Sequence, residues 1–299
     1  MLDTISKNKL TSLENIKLII WYNGKFIDIE ELKIHPLTHS LHYSGSVFEG
    51  VRAINGYIFK CEQHTSRLFH SARQMRLNID FSEEVVNHAH YELLKKNNLT
   101  SAYIRPIVWR STDSVRILPE NPVYHIMIAA WASEPRAHKP LRVNISNWVK
   151  PGKNMFPKNV KSSSQYGLLQ VAASEARDLG YDDSILLDEK GYIAECTSCN
   201  IFFIKNNQLY TPKTDYCLDG ITRQTIIEVS RENKIPCHEV DINLDELAVI
   251  DAAFVTGTAV GVKPIQSIIT SSNLYALDAD NKILKFLGDI YQKLSSGTL

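Results

Sequence analysis

What this chain has little of narrows the field before any motif is read. No run approaches the roughly 18 apolar residues needed to span a bilayer, so no membrane partner is expected. Polar residues recur through the first fifteen positions, MLDTISKNKLTSLEN, with no apolar core of signal-peptide length, and a cytoplasmic location is the expectation. Charge of one sign is missing as well: 33 basic residues balance 33 acidic ones, leaving no global field to favour nucleic acid or an anionic surface. Cysteine is sparse and odd in number, at Cys61, Cys196, Cys199, Cys217 and Cys237, which argues against a secreted disulfide framework. Cys196-Thr-Ser-Cys199 is a CxxC that could be a redox pair or half a zinc site. No second CxxC completes it, so no metal is expected. There is no GxGxxG or Walker pattern, which disfavours a nucleotide, and no internal repeat or low-complexity tract.

What is present is a soluble globular composition, 44% hydrophobic and 22% charged over 299 residues, long enough for two domains. Asn23-Gly24 and Asn55-Gly56 each sit between strand-like runs, a strong hairpin signal. Helices are expected over 62–77, with Leu68, Ala72 and Met75 inward, and from a Ser82 N-cap to Asn97-Asn98, with Val86, Ala89 and Leu93 inward. Residues 102–109 and 123–131 read as strands. Ala132-Ser-Glu-Pro-Arg-Ala-His-Lys-Pro140 reads as a linker. The reading is therefore a mixed α+β fold: a small domain over 1–131, a linker over 132–140, and a larger domain over 141–299. In the second part, strands are expected at 141–145, 184–187, 192–194, 200–204 and 252–256. Helices are expected over 165–180, packing Leu169, Ala173 and Ala176, and over 222–233. A last helix is expected to bury Ile283, Phe286, Leu287, Ile290 and Leu294.

Three segments carry chemistry. Val149 to Tyr166 holds Lys150, Lys153, Lys158 and Lys161, the last followed by three serines. A lysine amine becomes a nucleophile toward carbonyls only when desolvation or a neighbouring cation lowers its ordinary pKa of about 10.4. Most lysines are solvated surface, and the stretch alone does not choose among the four. Leu218-Asp-Gly-Ile-Thr-Arg223 offers a glycine, free N–H groups and a hydroxyl at a helix start, and Thr256-Gly-Thr-Ala259 ends a strand with small residues; both suit an anion. Gly-Ile-Thr before a helix is also ordinary capping.

Taken together, Lys161-(x4)-Tyr166, Glu195-Cys-Thr-Ser-Cys-Asn200-Ile-Phe, Leu209-Tyr-Thr-Pro212, Leu218-Asp-Gly-Ile-Thr-Arg223 and Thr256-Gly-Thr-Ala resemble the class IV pyridoxal-phosphate aminotransferases. His39-Ser-Leu-His-Tyr-Ser-Gly-Ser-Val-Phe-Glu-Gly-Val-Arg52, His64-Thr-Ser-Arg-Leu68 and Thr100-Ser-Ala-Tyr-Ile-Arg-Pro106 are similar to the branched-chain amino acid branch. The resemblance runs from about residue 16 to about 268. It implies a two-domain D-amino acid aminotransferase-like (fold type IV) architecture, with a small α/β N-terminal domain and a larger pseudo-barrel. It implies pyridoxal 5'-phosphate as cofactor, and ping-pong transfer of an amino group between a branched-chain L-amino acid and 2-oxoglutarate. Lys161 matches the Schiff-base lysine and proton carrier, Glu195 the carboxylate facing the pyridine nitrogen, and Tyr166 the phenol near the cofactor's 3-oxygen. Arg67, Ile221, Thr222 and Thr258 match the phosphate cup, and Asn200 belongs to the cofactor set. On the substrate side, Tyr103 and Arg105 match the pair that recognises a distal carboxylate. Thr258 and Ala259 match the α-carboxylate turn, Phe48 a pocket wall, and Tyr43 a wall residue offered by a neighbouring subunit. The partners implied are small amino and 2-oxo acids, and at least a homodimer, with a hexamer left open.

The chain also departs from the bacterial branched-chain pattern. Arg110-Ser-Thr-Asp-Ser-Val-Arg-Ile117 stands where a glycine-rich loop is common, and Cys196 replaces the glycine usual after the glutamate. A D-amino acid aminotransferase or a 4-amino-4-deoxychorismate lyase would share the lysine and the phosphate cup. The Tyr103-x-Arg105 segment speaks against the lyase. A non-catalytic binding protein regulated through Cys196 and Cys199 is the alternative of another class.

Overall fold

The computed structural model describes residues 17–111, 114–133, 139–152 and 154–299. The expected lead-in over 1–15 and most of the expected linker, 134–138, lie outside the described residues.

The first half builds one antiparallel sheet. Its elements are β1 (Ile19–Tyr22), β2 (Lys25–Asp28), the short helix α1 (His39–Tyr43), β3 (Ser46–Phe48), β4 (Val51–Ile54), β5 (Tyr57–Ile58), α2 (Cys61–Gln74), α3 (Glu83–Lys96), β6 (Ala102–Arg110) and β7 (Tyr124–Ala132). The strand order is β2-β1-β7-β6-β4-β5, with β3 also on β6. Both Asn-Gly pairs close two-residue hairpins, Tyr22 opposite Lys25 and Ile54 opposite Tyr57. In each, the asparagine and the glycine both have positive φ, the conformation whose twist suits a hairpin. Ser82 caps α3 through a hydrogen bond from the Val85 N–H. α2 and α3 set Leu68, Ala72, Val86, Ala89 and Leu93 against Ile104, Val108 and Ile128 of the sheet.

The second half comprises β8 (Leu141–Val149), α4 (Ser163–Asp178), β9 (Asp183–Leu187), β10 (Ile193–Cys196), β11 (Asn200–Lys205), β12 (Gln208–Pro212), α5 (Ile221–Glu232), β13 (Cys237–Val240), β14 (Ala252–Gly257), β15 (Gly261–Ile269), β16 (Leu274–Ala276) and α6 (Lys282–Ser295). Nine strands form a mixed sheet in the order β10-β9-β8-β15-β14-β11-β12-β13, with β16 on β15. β8 runs parallel to both β9 and β15. β11 and β14 lie at its middle and are buried on both faces, Phe202 stacking on Phe254 at 5.1 Å. Three expectations are corrected. The α4 face is Leu169, Ala172 and Ala176, with Ala173 half-buried. On α6 the fully buried face is Leu284, Leu287 and Tyr291, while Phe286 points to solvent, because α6 meets α5 and β15 through that stripe. And β8, expected to end at Ile145, extends to Val149.

Main-chain contacts join the two halves. The Phe48 N–H donates to the Lys161 carbonyl at 3.2 Å, Val47 bridges Ser162, and the Arg52 guanidinium donates to the carbonyls of Thr258 and Ala259 at 3.3 and 3.2 Å. These contacts frame a cleft of about 220 Å³.

Candidate active site

Lys161 sits in this cleft because its main chain is pinned at both its N–H and its carbonyl. Its N–H donates to the fully buried Ser71 hydroxyl at 3.1 Å, and its carbonyl accepts from Phe48. The three serines after it form a clasp. Ser162 Oγ donates to the Ser46 carbonyl at 3.0 Å, and Ser163 Oγ lies 2.7 Å from Ser46 Oγ and donates to the Ser44 carbonyl at 2.8 Å. Ser162 also caps α4. One helical turn on, Tyr166 faces back, and Lys161 Nζ donates to Tyr166 Oη at 2.5 Å. The amine lies 5.0 Å from the centre of the Phe48 ring, which packs on Tyr166 at 4.9 Å. Lys158, by contrast, is solvent-exposed and paired with Asp215.

One end of the cleft is built for an anion. Gly220 is the N-cap of α5 and offers no capping side chain, so the N–H groups of the first turn stay available to a ligand. A Cβ at Gly220 would stand 2.1 Å from Asn200 Oδ1, so no larger residue fits at that N-terminus. Ile221, Thr222 and Thr258 line the same end, as does Arg67. Arg67 Nη1 donates to the Asp219 carbonyl at 3.1 Å, while its Nε and Nη2 engage Glu49 at 2.6 and 2.9 Å.

At another point of the cleft stands Glu195, 7% exposed. Its Oε1 pairs with Lys150 Nζ at 2.7 Å, and its Oε2 accepts from Asn200 Nδ2 and the Leu218 N–H, both at 3.3 Å. Burial works against the Lys150 charge, but the adjacent Glu195 carboxylate outweighs it and raises the lysine's pKa, so the pair is ionic. Asn200 Nδ2 also donates to the Leu218 carbonyl at 2.7 Å, fixing its amide orientation. Thr256 lines the cleft with a buried hydroxyl that has no partner. Buried polar atoms are nearly always satisfied, so a hydroxyl left open toward a cleft fits a ligand.

On the third side, Tyr103 and Arg105 alternate along β6 with buried Ile104 and both enter the cleft. The Arg105 guanidinium lies 4.8 Å over Phe48 and 5.5 Å over Tyr103, and its buried Nε has no partner. Tyr103 Oη rests on Gly50, where a Cβ would come within 2.0 Å of it.

All the residues singled out from the sequence line the cleft except Tyr43, which is 43% exposed and donates from Oη to the Val115 carbonyl at 2.7 Å. Sequence reasoning missed three. Lys150 looked like one lysine of four. Glu49 and its partner His64 appeared only as letters within longer motifs. Glu49 alone had a signal, a glutamate set between Val47-Phe48 and Gly50-Val51; His64 stands between Gln63 and Thr65 and had none. The cysteines carry no sign of reactivity. All five are free, and burial pushes the Cys61 and Cys199 thiols up to about 12 and raises Cys196 well above its ordinary value too.

The sequence model of the family described as amino-transferase class IV matches residues 46–268. A protein of Rickettsia bellii named "Probable branched-chain-amino-acid aminotransferase" is 44% identical over 285 residues, covering 95% of this chain and 98% of that one. Among solved structures, the branched-chain aminotransferase of Thermoproteus uzoniensis with norvaline superposes with a TM-score of 0.89 at 30% identity, covering 94% of this chain and 96% of that one. The branched-chain amino acid aminotransferase of Thermobaculum terrenum in its PLP-form (holo-form) superposes with a TM-score of 0.88 at 27% identity, covering 95% of each chain.

Proposed function

The chain belongs to the class IV aminotransferase family, and from that premise we propose that it moves an amino group between branched-chain L-amino acids and 2-oxoglutarate with pyridoxal 5'-phosphate as cofactor. The observation that carries the reading is the Lys161 amine, hydrogen-bonded to Tyr166 within a cleft that joins an uncapped helix N-terminus to a buried carboxylate. That donor set fits the cofactor: N–H groups and Arg67 for a phosphate, Glu195 for a pyridinium N–H, and Lys161 for an aldehyde. When bound, pyridoxal 5'-phosphate supplies a carbonyl for amine exchange and a ring that withdraws electrons from the substrate's Cα.

The chain's own groups do the rest. Lys161 Nζ would hold the cofactor's aldehyde carbon and, once freed by the amino donor, would carry the proton between the substrate's Cα and the cofactor's C4′. Tyr166 Oη accepts from that amine and fixes its direction. Glu195 keeps a proton on the ring nitrogen, and Lys150 and Asn200 hold Glu195 in place. The first-turn N–H groups of α5, with Thr222, Thr258 and Arg67, anchor the phosphate. Thr258 and Ala259, tied down by Arg52, receive the α-carboxylate. Phe48 offers an apolar wall to a branched side chain, and Arg105 leaves its seat between Phe48 and Tyr103 to meet the distal carboxylate of glutamate. The arrangement then serves both substrates in turn.

We further propose a homodimer. Tyr43 lies outside its own chain's cleft, and around it Leu41, Ile117 and Leu118 are 69, 76 and 81% exposed, an apolar patch of the kind that marks an interface. No helix among the described residues is long and apolar enough to cross a membrane.

The test is a panel of amino donors, L- and D-leucine and L-glutamate, added to the cofactor-loaded protein while its visible absorbance is followed. The L-donors are expected to discharge the band, and a 2-oxo acid to restore it. A protein that binds no cofactor, or that responds only to the D-isomer, sinks the reading.

A further inference from the structure

Arg67 reaches the anion end of the cleft with one edge only. Its other edge is taken by Glu49, which no part of the chemistry above uses. Glu49 sits at the corner between β3 and β4, where its N–H donates to the Pro106 carbonyl at 2.9 Å. Its neighbours Phe48 and Gly50 line the cleft, so by alternation the Glu49 side chain turns inward, where it is 0% exposed. There Oε1 accepts from Arg67 Nε at 2.6 Å and Oε2 from Arg67 Nη2 at 2.9 Å, a two-point fork. The same Oε2 accepts from His64 Nδ1 at 2.8 Å. His64 and Arg67 are one turn apart on α2 and so share a face.

An ionised carboxylate only accepts, so the His64 proton toward Glu49 is on Nδ1. Burial lowers the His64 pKa against the opposing pull of Glu49, and the Arg67 charge beside Glu49 overcomes burial and holds its carboxyl well below the usual range. The Glu49 charge is thus permanent near neutrality. It fixes the plane of the guanidinium and leaves the Nη1 side toward the Asp219 carbonyl and the α5 N-terminus. A free arginine side chain samples many rotamers; this one is held before any ligand arrives.

We propose that Glu49, braced by His64, is the positioning residue that presents Arg67 to the phosphate of the cofactor. The inference rests on the reading of Arg67 as a phosphate ligand. Arg67 is already charge-balanced, so the cup recognises phosphate by donor geometry more than by long-range attraction.

The experiment compares two probes on the full chain freed of cofactor: pyridoxal 5'-phosphate and pyridoxal, which lacks the phosphate. Dissociation constants are read from the visible band. Glu49→Gln is expected to weaken the phosphorylated probe about tenfold or more while changing pyridoxal less than about twofold. Glu49→Asp, which keeps the charge but draws the carboxylate back, is expected to show the same selective loss. The double variant Glu49→Gln/Arg67→Gln, which removes both charges together, should show no less phosphate preference than Arg67→Gln alone. Equal weakening of both probes would make Glu49 merely structural and overturn the proposal. So would unchanged binding of both, or a double variant worse than Arg67→Gln. If Arg67→Gln itself keeps the full phosphate preference, the reading of Arg67 falls and the proposal with it. If only the Glu49 variants keep it, Arg67 stands and the proposal alone is wrong.

Discussion

Replacing Arg105 by methionine separates the two substrates that the cleft is asked to take. The guanidinium stacks between Phe48 and Tyr103 and its Nε has no partner. A distal carboxylate would collect charge-assisted hydrogen bonds worth about 1.5–3 kcal/mol each. Losing a two-point contact, after the usual non-additivity, comes to about 3 kcal/mol, or roughly 150-fold in kcat/KM for glutamate at 1.36 kcal/mol per decade. Methionine keeps an apolar stem against Phe48. An apolar donor therefore loses at most the stacking interaction of about 0.5–1 kcal/mol, roughly two- to fivefold. The assay is the half-reaction of L-glutamate and of L-leucine, measured as single-turnover decay of the visible band at several donor concentrations. A drop of similar size for both donors would mean that Arg105 holds the wall in shape, and the assignment of the distal-carboxylate site would be wrong.

Other outcomes are expected elsewhere in the cleft and core. Lys161→Ala should lose transamination by roughly four orders of magnitude or more in steady-state assays, whereas Lys158→Ala should stay near wild type; the reverse result would shift the lysine assignment. Lys150→Met leaves Glu195 buried without its cation, a loss of about 3–5 kcal/mol. Calorimetry should show a fall in Tm of roughly 5–8 °C, at the ~1.6 °C per kcal/mol that about 2.1 cal/mol/K per residue gives over 299 residues, and an unchanged Tm would mean the pair is not ionic. Gly50→Ala should push Tyr103 off its seat and raise KM for glutamate and 2-oxoglutarate more than for leucine, a difference that steady-state kinetics will reveal or refute. His90 is wholly buried, and burial drives its pKa down to about 4. The unfolded chain takes up that proton below about pH 6.5, so the unfolded state holds more protons between those values and stability falls as the pH falls, by about 3 kcal/mol in total. Denaturant titrations from pH 7 to 4 should show this slope, to which His64 adds with the same sign, and His90→Leu should flatten it.

The local grammar of the chain was legible where one segment decides its own shape. Asn23-Gly24, Asn55-Gly56 and the Ser82 cap read correctly because turn and cap chemistry needs only a few neighbouring residues. The helix faces read less well. Phe286 was expected inside along with Ile283, Leu287, Ile290 and Leu294, but α6 has an apolar stripe broad enough for more than one orientation, and contact with α5 and β15 chose the side bearing Tyr291. Strands β13, β15 and β16 escaped notice for a related reason. Cys237–Val240 alternates weakly, and Gly261–Ile269 carries a lysine and a proline; the first is held by pairing with β12, the second by distant β8 as well as by its hairpin neighbour β14. Of the cleft, the residues that match long motifs could be named. The partnerships could not: nothing in the spacing of Lys150 and Glu195, or of Glu49 and Arg67, announces that they meet. A buried ion pair is a tertiary fact, formed between segments that share no period.

The hydrogen bond from the Phe48 N–H to the Lys161 carbonyl has a bearing on redesign. It puts Phe48, the wall proposed for the substrate's side chain, and Lys161, the proposed proton carrier, on a single rail, with Val47 and Ser162 as the adjoining tie. Substitutions that swell the cleft by shifting the backbone at 46–50 will drag the amine with them and dull the enzyme as they broaden it. Variation spent on side chains behind the far wall, such as Trp131 of β7, which packs on Tyr103 at 5.3 Å, leaves that rail untouched. Libraries aimed at bulkier donors should begin there.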